Sequence, residues 1–283
     1  MKTIVFHADD LGMCHAANTA FAKIAAYGIT RCGSVMVPCP WFPELASLAR
    51  ENPAWDIGVH LTLTSEWNSC RWGPISTQNT ASGMMDSEGY FWRSSADAIK
   101  HVDPVFARAE MRAQIDRALA AGIDVTHLDS HMGTAFSPVL MQTYVDLAIE
   151  YRVPAFITQI VESAWPFSQY GAERTAAMRA AVTTAQQAGL PIFSGMGYEP
   201  LDEPDNRLEQ YVSGLAATTD GLTHFLYHPS TAGDELTAIA PDHEAREGDL
   251  AVFTDPNFQI ALQKAGVSLT GYRELRDAYR ART

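Results

Sequence analysis

The chain alternates between short apolar, β-branched runs and longer Ala-rich stretches whose apolar residues recur at helical spacing. The short runs, bounded by polar residues and by Gly or Pro, predict buried parallel strands at 3–8, 33–37, 57–64, 124–130, 154–158, 191–195, 223–228 and 267–270. The stretches between them predict helices near 15–27, 41–51, 104–121, 137–151, 173–188, 206–216, 255–265 and 271–282. Before Gly122, for example, Met111, Ile115, Ala118 and Leu119 share one helical face, while Arg112, Gln114, Asp116 and Arg117 fall mostly on the other. A recurring joint marks the passage from helix to strand. Tyr27-Gly28-Ile29, Ala121-Gly122-Ile123, Ala188-Gly189-Leu190 and Ala265-Gly266-Val267 each set a helix-ending Gly before an apolar residue.

Seven or eight such units predict an α/β protein, an irregular TIM-like (β/α) barrel forming one domain over residues 1–283. The nearest thing to a dinucleotide fingerprint, Gly195-Met196-Gly197-Tyr198-Glu199-Pro200, lacks the third Gly and reads as a loop. Residues 65–103 break the rhythm with Trp67, Trp72, Tyr90, Phe91 and Trp92 among Gly, Ser and Asn. A long βα insertion of this kind either covers the barrel mouth and contributes to specificity or forms a satellite core of its own.

Polar chemistry collects just past the apolar runs. Thr3-Ile4-Val5-Phe6 leads to Asp9-Asp10, Asp56-Ile57-Gly58-Val59 leads to His60, and Val125 through Ser130 leads to His131. Barrel enzymes place ligands and acid/base groups at the C-terminal ends of their strands, so these residues point to a mononuclear metal site. Adjacent residues of extended backbone face opposite ways, so Asp9 and Asp10 are expected to divide the labour, one binding the metal and one taking a proton from water. The structural alternative for the pair is capping of the helix near His15. His127, Asp129 and His131 share one strand face. His131, nearest the mouth, suits a ligand, while His127 and Asp129 suit orienting the ligands by hydrogen bonds. The run Thr223 to Tyr227 ends at His228, which Pro229 follows, and a His at that height could donate a proton to a leaving amine.

Composition narrows the partners. The 283 residues, 47% hydrophobic, are enough to bury a sizeable core. A net charge of −13 without a Lys/Arg cluster argues against nucleic acid or an anionic membrane surface and favours a small neutral or cationic substrate. The first predicted strand starts within three residues of Met1, and no apolar stretch reaches the length of a bilayer, so a cytoplasmic protein is expected, its oligomeric state open between a monomer and a homodimer. Cys14, Cys32, Cys39 and Cys70 form no C-x-x-C pair and read as reduced packing residues.

Together these residues resemble the YdjC-like (ChbG/HpnK) carbohydrate deacetylase family. The resemblance rests on His7-Ala8-Asp9-Asp10-Leu11-Gly12, Gly58-Val59-His60-Leu61, His127-Leu128-Asp129-Ser130-His131 and His228-Pro229-Ser230, in the family's order. Departures surround them: His7 stands for the usual Asn, Leu11 for Phe, Met132-Gly133 for further histidines, and Ser230 for Gly. The resemblance implies an irregular (β/α) barrel that removes an N-acetyl group from a glucosamine-containing carbohydrate with one divalent metal. Asp10, His60 and His131 would be the ligands, Asp9 the base and His228 the acid. Two His and one Asp favour Zn2+, Mn2+, Co2+ or Ni2+, and the family also admits Mg2+. Trp67, Arg71, Trp72 and Trp92 are the candidates for substrate binding. The alternatives are another metal-dependent hydrolase such as a phosphoesterase, for which Arg71 is the obvious phosphate-holding cation, and a non-catalytic carbohydrate-binding barrel.

Overall fold

The apolar run Ile4-Val5-Phe6 lies in β1 (Lys2–Leu11), whose residues from Ile4 onward are all buried. In the computed structural model, which describes residues 1–159 and 172–282, β1 sits at the centre of a seven-stranded sheet. The other strands are β2 (Cys32–Val35), β3 (Asp56–Leu61), β4 (Leu128–Ser130), β5 (Gly195–Gly197), β6 (Gly221–Tyr227) and β7 (Ser268–Leu269). Their order is β4-β3-β2-β1-β6-β5, with β7 beside the start of β1, and every pairing is parallel. Parallel strands need helical crossovers. These are drawn from α1 (His15–Tyr27), α2 (Phe42–Glu51), α3 (Ser95–His101), α4 (Pro104–Ala120), α5 (Met141–Tyr151), α6 (Ala172–Gln187), α7 (Arg207–Ala217), α8 (Asp234–Ile239), α9 (His243–Phe253) and α10 (Pro256–Ala265), and α11 (Tyr272–Arg280) follows the last strand. The predicted Gly joints hold: Gly28 and Gly266 end α1 and α10 in the left-handed conformation.

The sheet curls into a half-barrel; its regular ladder is not closed. The runs 154–158 and 191–195, expected as full strands, instead make single parallel bridges, Leu128 to Ala155 and Thr158 to Phe193, between β4 and β5. Gly195–Gly197, expected as a loop, is the edge strand β5. The predicted strand at 124–130 shortens to Leu128–Ser130. Among the described residues, three helices lie where none was predicted: α3 in the 65–103 insertion, and α8 and α9 after His228. α9 was hidden by its composition, because Glu244, Arg246, Glu247 and Asp249 give it the look of a solvated loop although Arg246 and Asp249 are buried.

Successive residues of β1 serve different layers. Phe6 packs outward against Phe225, Phe253 and Phe258, at ring-centroid distances of 5.1 to 5.8 Å. His7 faces inward, where its ring meets those of His127, His224 and Tyr272. The half-barrel is therefore filled by a polar aromatic layer, with the candidate site directly above it. Among the described residues no helix is long and apolar enough to cross a membrane.

Candidate metal centre

The strand registers bring the predicted residues to one level. His60 pairs with Asp129 across β3 and β4, and Ala8 pairs with Tyr227 across β1 and β6, which sets Asp9 beside His228. Asp9, Asp10, His60, Asp129, His131 and His228 line one cavity of about 300 Å³.

Asp9 and Asp10 both enter this cavity, contrary to simple strand alternation. The β1–β2 register slips between Ala8 and Leu11, and Asp10 has a φ of 61°, so the backbone leaves extended geometry between the two carboxylates. A bulge of this kind re-aims a side chain that a regular strand would turn away. Asp9 Oδ2 and Asp10 Oδ1 then lie 3.8 and 3.5 Å from His60 Nε2. Neither carboxylate caps α1, whose N-cap position is Cys14.

Asp10, His60 and His131 offer donor atoms within 4.8 Å of one another. His131 Nδ1 is 3.1 Å from Asp10 Oδ1, the oxygen that also faces His60. Each imidazole has a carboxylate on its far side. Asp129 Oδ2 lies 3.0 Å from His60 Nδ1, in ion-pair range though not aligned as a hydrogen bond. Glu66 Oε2 accepts from His131 Nε2 at 3.0 Å. Carboxylates behind metal-binding histidines fix ring orientation and raise basicity, so the donor set fits a divalent cation of borderline character.

The electrostatics are those of a concentrated acidic site. Burial opposes protonation of His60 and His131, but the nearby carboxylates prevail, holding His60 well above its usual value and pushing His131 up to about 9. Asp10 is buried, yet the Arg246 guanidinium keeps it well below the ordinary carboxylate range. Asp9 moves the other way, because burial and the charge of Asp129 raise it. The two neighbouring carboxylates thus differ in proton affinity, as a ligand and a base should.

Residues 3–264 match the family model described as YdjC-like protein. The chain belongs to the YdjC-like family. It is 30% identical over 265 residues to a carbohydrate deacetylase of Thermus thermophilus, covering 92% of this chain and 89% of that one. A carbohydrate deacetylase of Thermoanaerobacter pseudethanolicus is 24% identical over 276 residues, 98% of this chain and 100% of that one. The fold is shared with a crystal structure of a protein from Enterococcus faecalis V583 provisionally assigned to cellobiose-phosphate cleavage, at a TM-score of 0.78 and 22% identity over 97% of this chain and 98% of that one.

Other expected residues of this YdjC-like chain fall elsewhere. His127 lies a layer below the candidate ligands and contacts His7, not the imidazoles it was expected to orient. Trp67 lines the cavity. Trp72 and Trp92 do not: Trp72 is buried with Nε1 donating to Thr64 O at 2.7 Å, and Trp92 stacks on His101 while donating to Gly83 O. Arg71 is spent inside the insertion, on Asp86, Phe91 O and Ser65, because the loop's buried carbonyls and carboxylate need a donor.

Three residues escaped the sequence reading. Arg246 donates to Asp10 Oδ2 at 2.8 Å and makes a two-pronged pair with Asp242, at 2.9 Å on each branch. The spacing of Asp242 and Arg246 by four residues was the available signal. Asp249 is wholly buried, accepts from Arg207 and Tyr211, and receives the His228 backbone N–H at 2.8 Å, which fixes the turn carrying His228. Glu66 stands in the insertion, outside any strand pattern.

Proposed function

We propose that the chain is a divalent-cation-dependent hydrolase that removes the acetyl group from an N-acetylglucosamine-containing carbohydrate of the chito-oligosaccharide type. The observation that carries this reading is the position of Asp9 Oδ2, 3.8 Å from both His60 Nε2 and His228 Nε2. A buried carboxylate of raised proton affinity therefore stands between a candidate metal ligand and a candidate proton donor. The relatives' name, carbohydrate deacetylase, supports the same chemistry.

Asp10, His60 and His131 would hold the cation, which when bound supplies Lewis acidity toward water and toward the acetamide carbonyl. Asp9 takes the proton of the attacking water on Oδ2. An amide anion is a very poor leaving group, so the departing nitrogen needs a proton, and His228, beside Asp9, would give it. Arg246 keeps Asp10 ionised and turned so that Oδ1 faces the imidazoles. Trp67, whose ring lies 5.6 Å from the Arg246 guanidinium carbon, supplies an aromatic wall on which a sugar face can stack.

A phosphoesterase fits less well. Among the described residues lining the cavity, Arg246 is the one Arg or Lys, and it is committed to Asp10 and Asp242, while Glu66, Asp129, Glu199 and Asp242 add negative charge. A non-catalytic binder has no use for two carboxylates of opposed proton affinity. Incubating the purified protein with N-acetylated, O-acetylated and phosphorylated sugars separates the hydrolase readings. Release of acetate from the N-acetylated sugar alone is expected, and phosphate release without acetate would overturn the reading.

A further inference from the structure

We infer that His7 is a positioning residue for Asp9, holding its carboxylate through a buried chain of imidazoles that ends on Thr126. The inference rests on the reading of Asp9 as the base and adds a residue that does not touch substrate or cation.

His7 precedes Asp9 by two residues, so both side chains fall on the inner face of β1. His7 is wholly buried, with Nδ1 2.6 Å from Asp9 Oδ1 and Nε2 2.7 Å from His127 Nε2. A carboxylate oxygen accepts, so His7 Nδ1 carries the hydrogen. A neutral ring then has a bare Nε2, which must accept from His127 Nε2–H. His127 Nδ1 is left to accept from Thr126 Oγ1 at 2.9 Å. With Asp9 ionised, this set of tautomers satisfies every link, and Thr126 and His127 in turn face the buried Asp56 carboxylate, whose Oδ1 lies 3.7 Å from His127 Nδ1.

The chain is also locked sterically. His127 stacks on Tyr272 with centroids 3.8 Å apart and planes 13° from parallel. On its other side stands Gly58, where a Cβ would lie 2.5 Å from the ring, so a residue without a side chain is required there. With Oδ1 pinned by His7, Asp9 presents Oδ2 to His60 and His228, each 3.8 Å away. A carboxylate free to rotate would spend much of its time turned from them, and groups that orient a reacting residue commonly matter by about 10–100-fold.

The alternative is that His7 merely fills the half-barrel, and two substitutions separate the readings. In His7→Asn the amide nitrogen can replace Nδ1 and still donate to Asp9. In His7→Gln the amide falls near the former Nε2, keeping the link to His127 but losing the donor to Asp9. The Gln variant should lose about 10–100-fold in kcat with KM and metal content unchanged, while the Asn variant stays near wild type. Adding His7→Gln to Asp9→Asn should cost nothing more, since His7 acts through Asp9.

Should the Gln variant not fold, His127→Leu, which frees His7 to turn, is expected to lower kcat with the metal retained. Wild-type kcat in a folded His7→Gln or His127→Leu variant, or equal kcat in the Asn and Gln variants, would overturn the inference. Failure of the underlying reading looks different: there Asp9→Asn itself keeps its activity.

Discussion

Arg246 donates to Asp10 Oδ2 at 2.8 Å, and both groups are almost fully buried. The guanidinium compensates a carboxylate sunk among other carboxylates, as a bound cation would also help to do. Breaking a buried pair from one side commonly costs about 3–5 kcal/mol. Arg246→Met should therefore lower the melting temperature, and by more in metal-stripped than in metal-loaded protein, because a bound cation would neutralise Asp10. Equal deficits in the two states would mean that Arg246 does not serve Asp10.

The convergence of Asp10, His60 and His131 gives a test by stoichiometry. His60→Ala and His131→Ala should each lose stoichiometric metal in elemental analysis, since two donors of an open three-residue site rarely retain a full equivalent. Full retention in both variants would place the cation elsewhere.

Asp9 is expected to behave differently from its neighbour. Asp9→Asn should keep its metal while kcat falls by roughly two orders of magnitude or more, the usual scale for a removed general base. A metal-replete variant with near wild-type kcat would assign the base to another group.

The aromatic insertion divides in the same way. Trp67→Ala should raise KM more than it lowers kcat, because stacking on a sugar is felt about equally in the ground and transition states. Trp72→Ala and Trp92→Ala should lower the melting temperature and leave KM unchanged, since Trp72 is packed edge-on against Trp67 and His131 with its N–H held by Thr64 O, and Trp92 serves Gly83 and His101. A raised KM in either of the latter pair, with stability intact, would return it to the substrate cavity.

What could be read from the sequence was whatever lies on one strand or one helix end. The strand ends at Asp9-Asp10, His60, His131 and His228, and the Gly joints, follow from local pattern. The common orientation of Asp9 and Asp10 was not legible, because it depends on a slipped register and a left-handed φ at Asp10, and alternation argues the opposite. Arg246 and Asp249 were missed for a related reason: their burial comes from pairing with Asp10, Arg207 and His228, which are distant in the chain, while their own helix reads as a charged surface. Arg71 erred in the other direction, since a lone Arg in an aromatic loop looks available until its four partners inside that loop, Ser65, Asp86, Glu88 and Phe91 O, are seen.

The most direct test of the account is to follow acetate and free amine together during incubation of an N-acetylated chito-oligosaccharide with the purified protein. Equimolar acetate and amine are expected, lost on chelation and restored by a divalent cation, with Asp9→Asn inactive at full metal occupancy. Undiminished release from thoroughly chelated protein, or acetate without new amine, would contradict it.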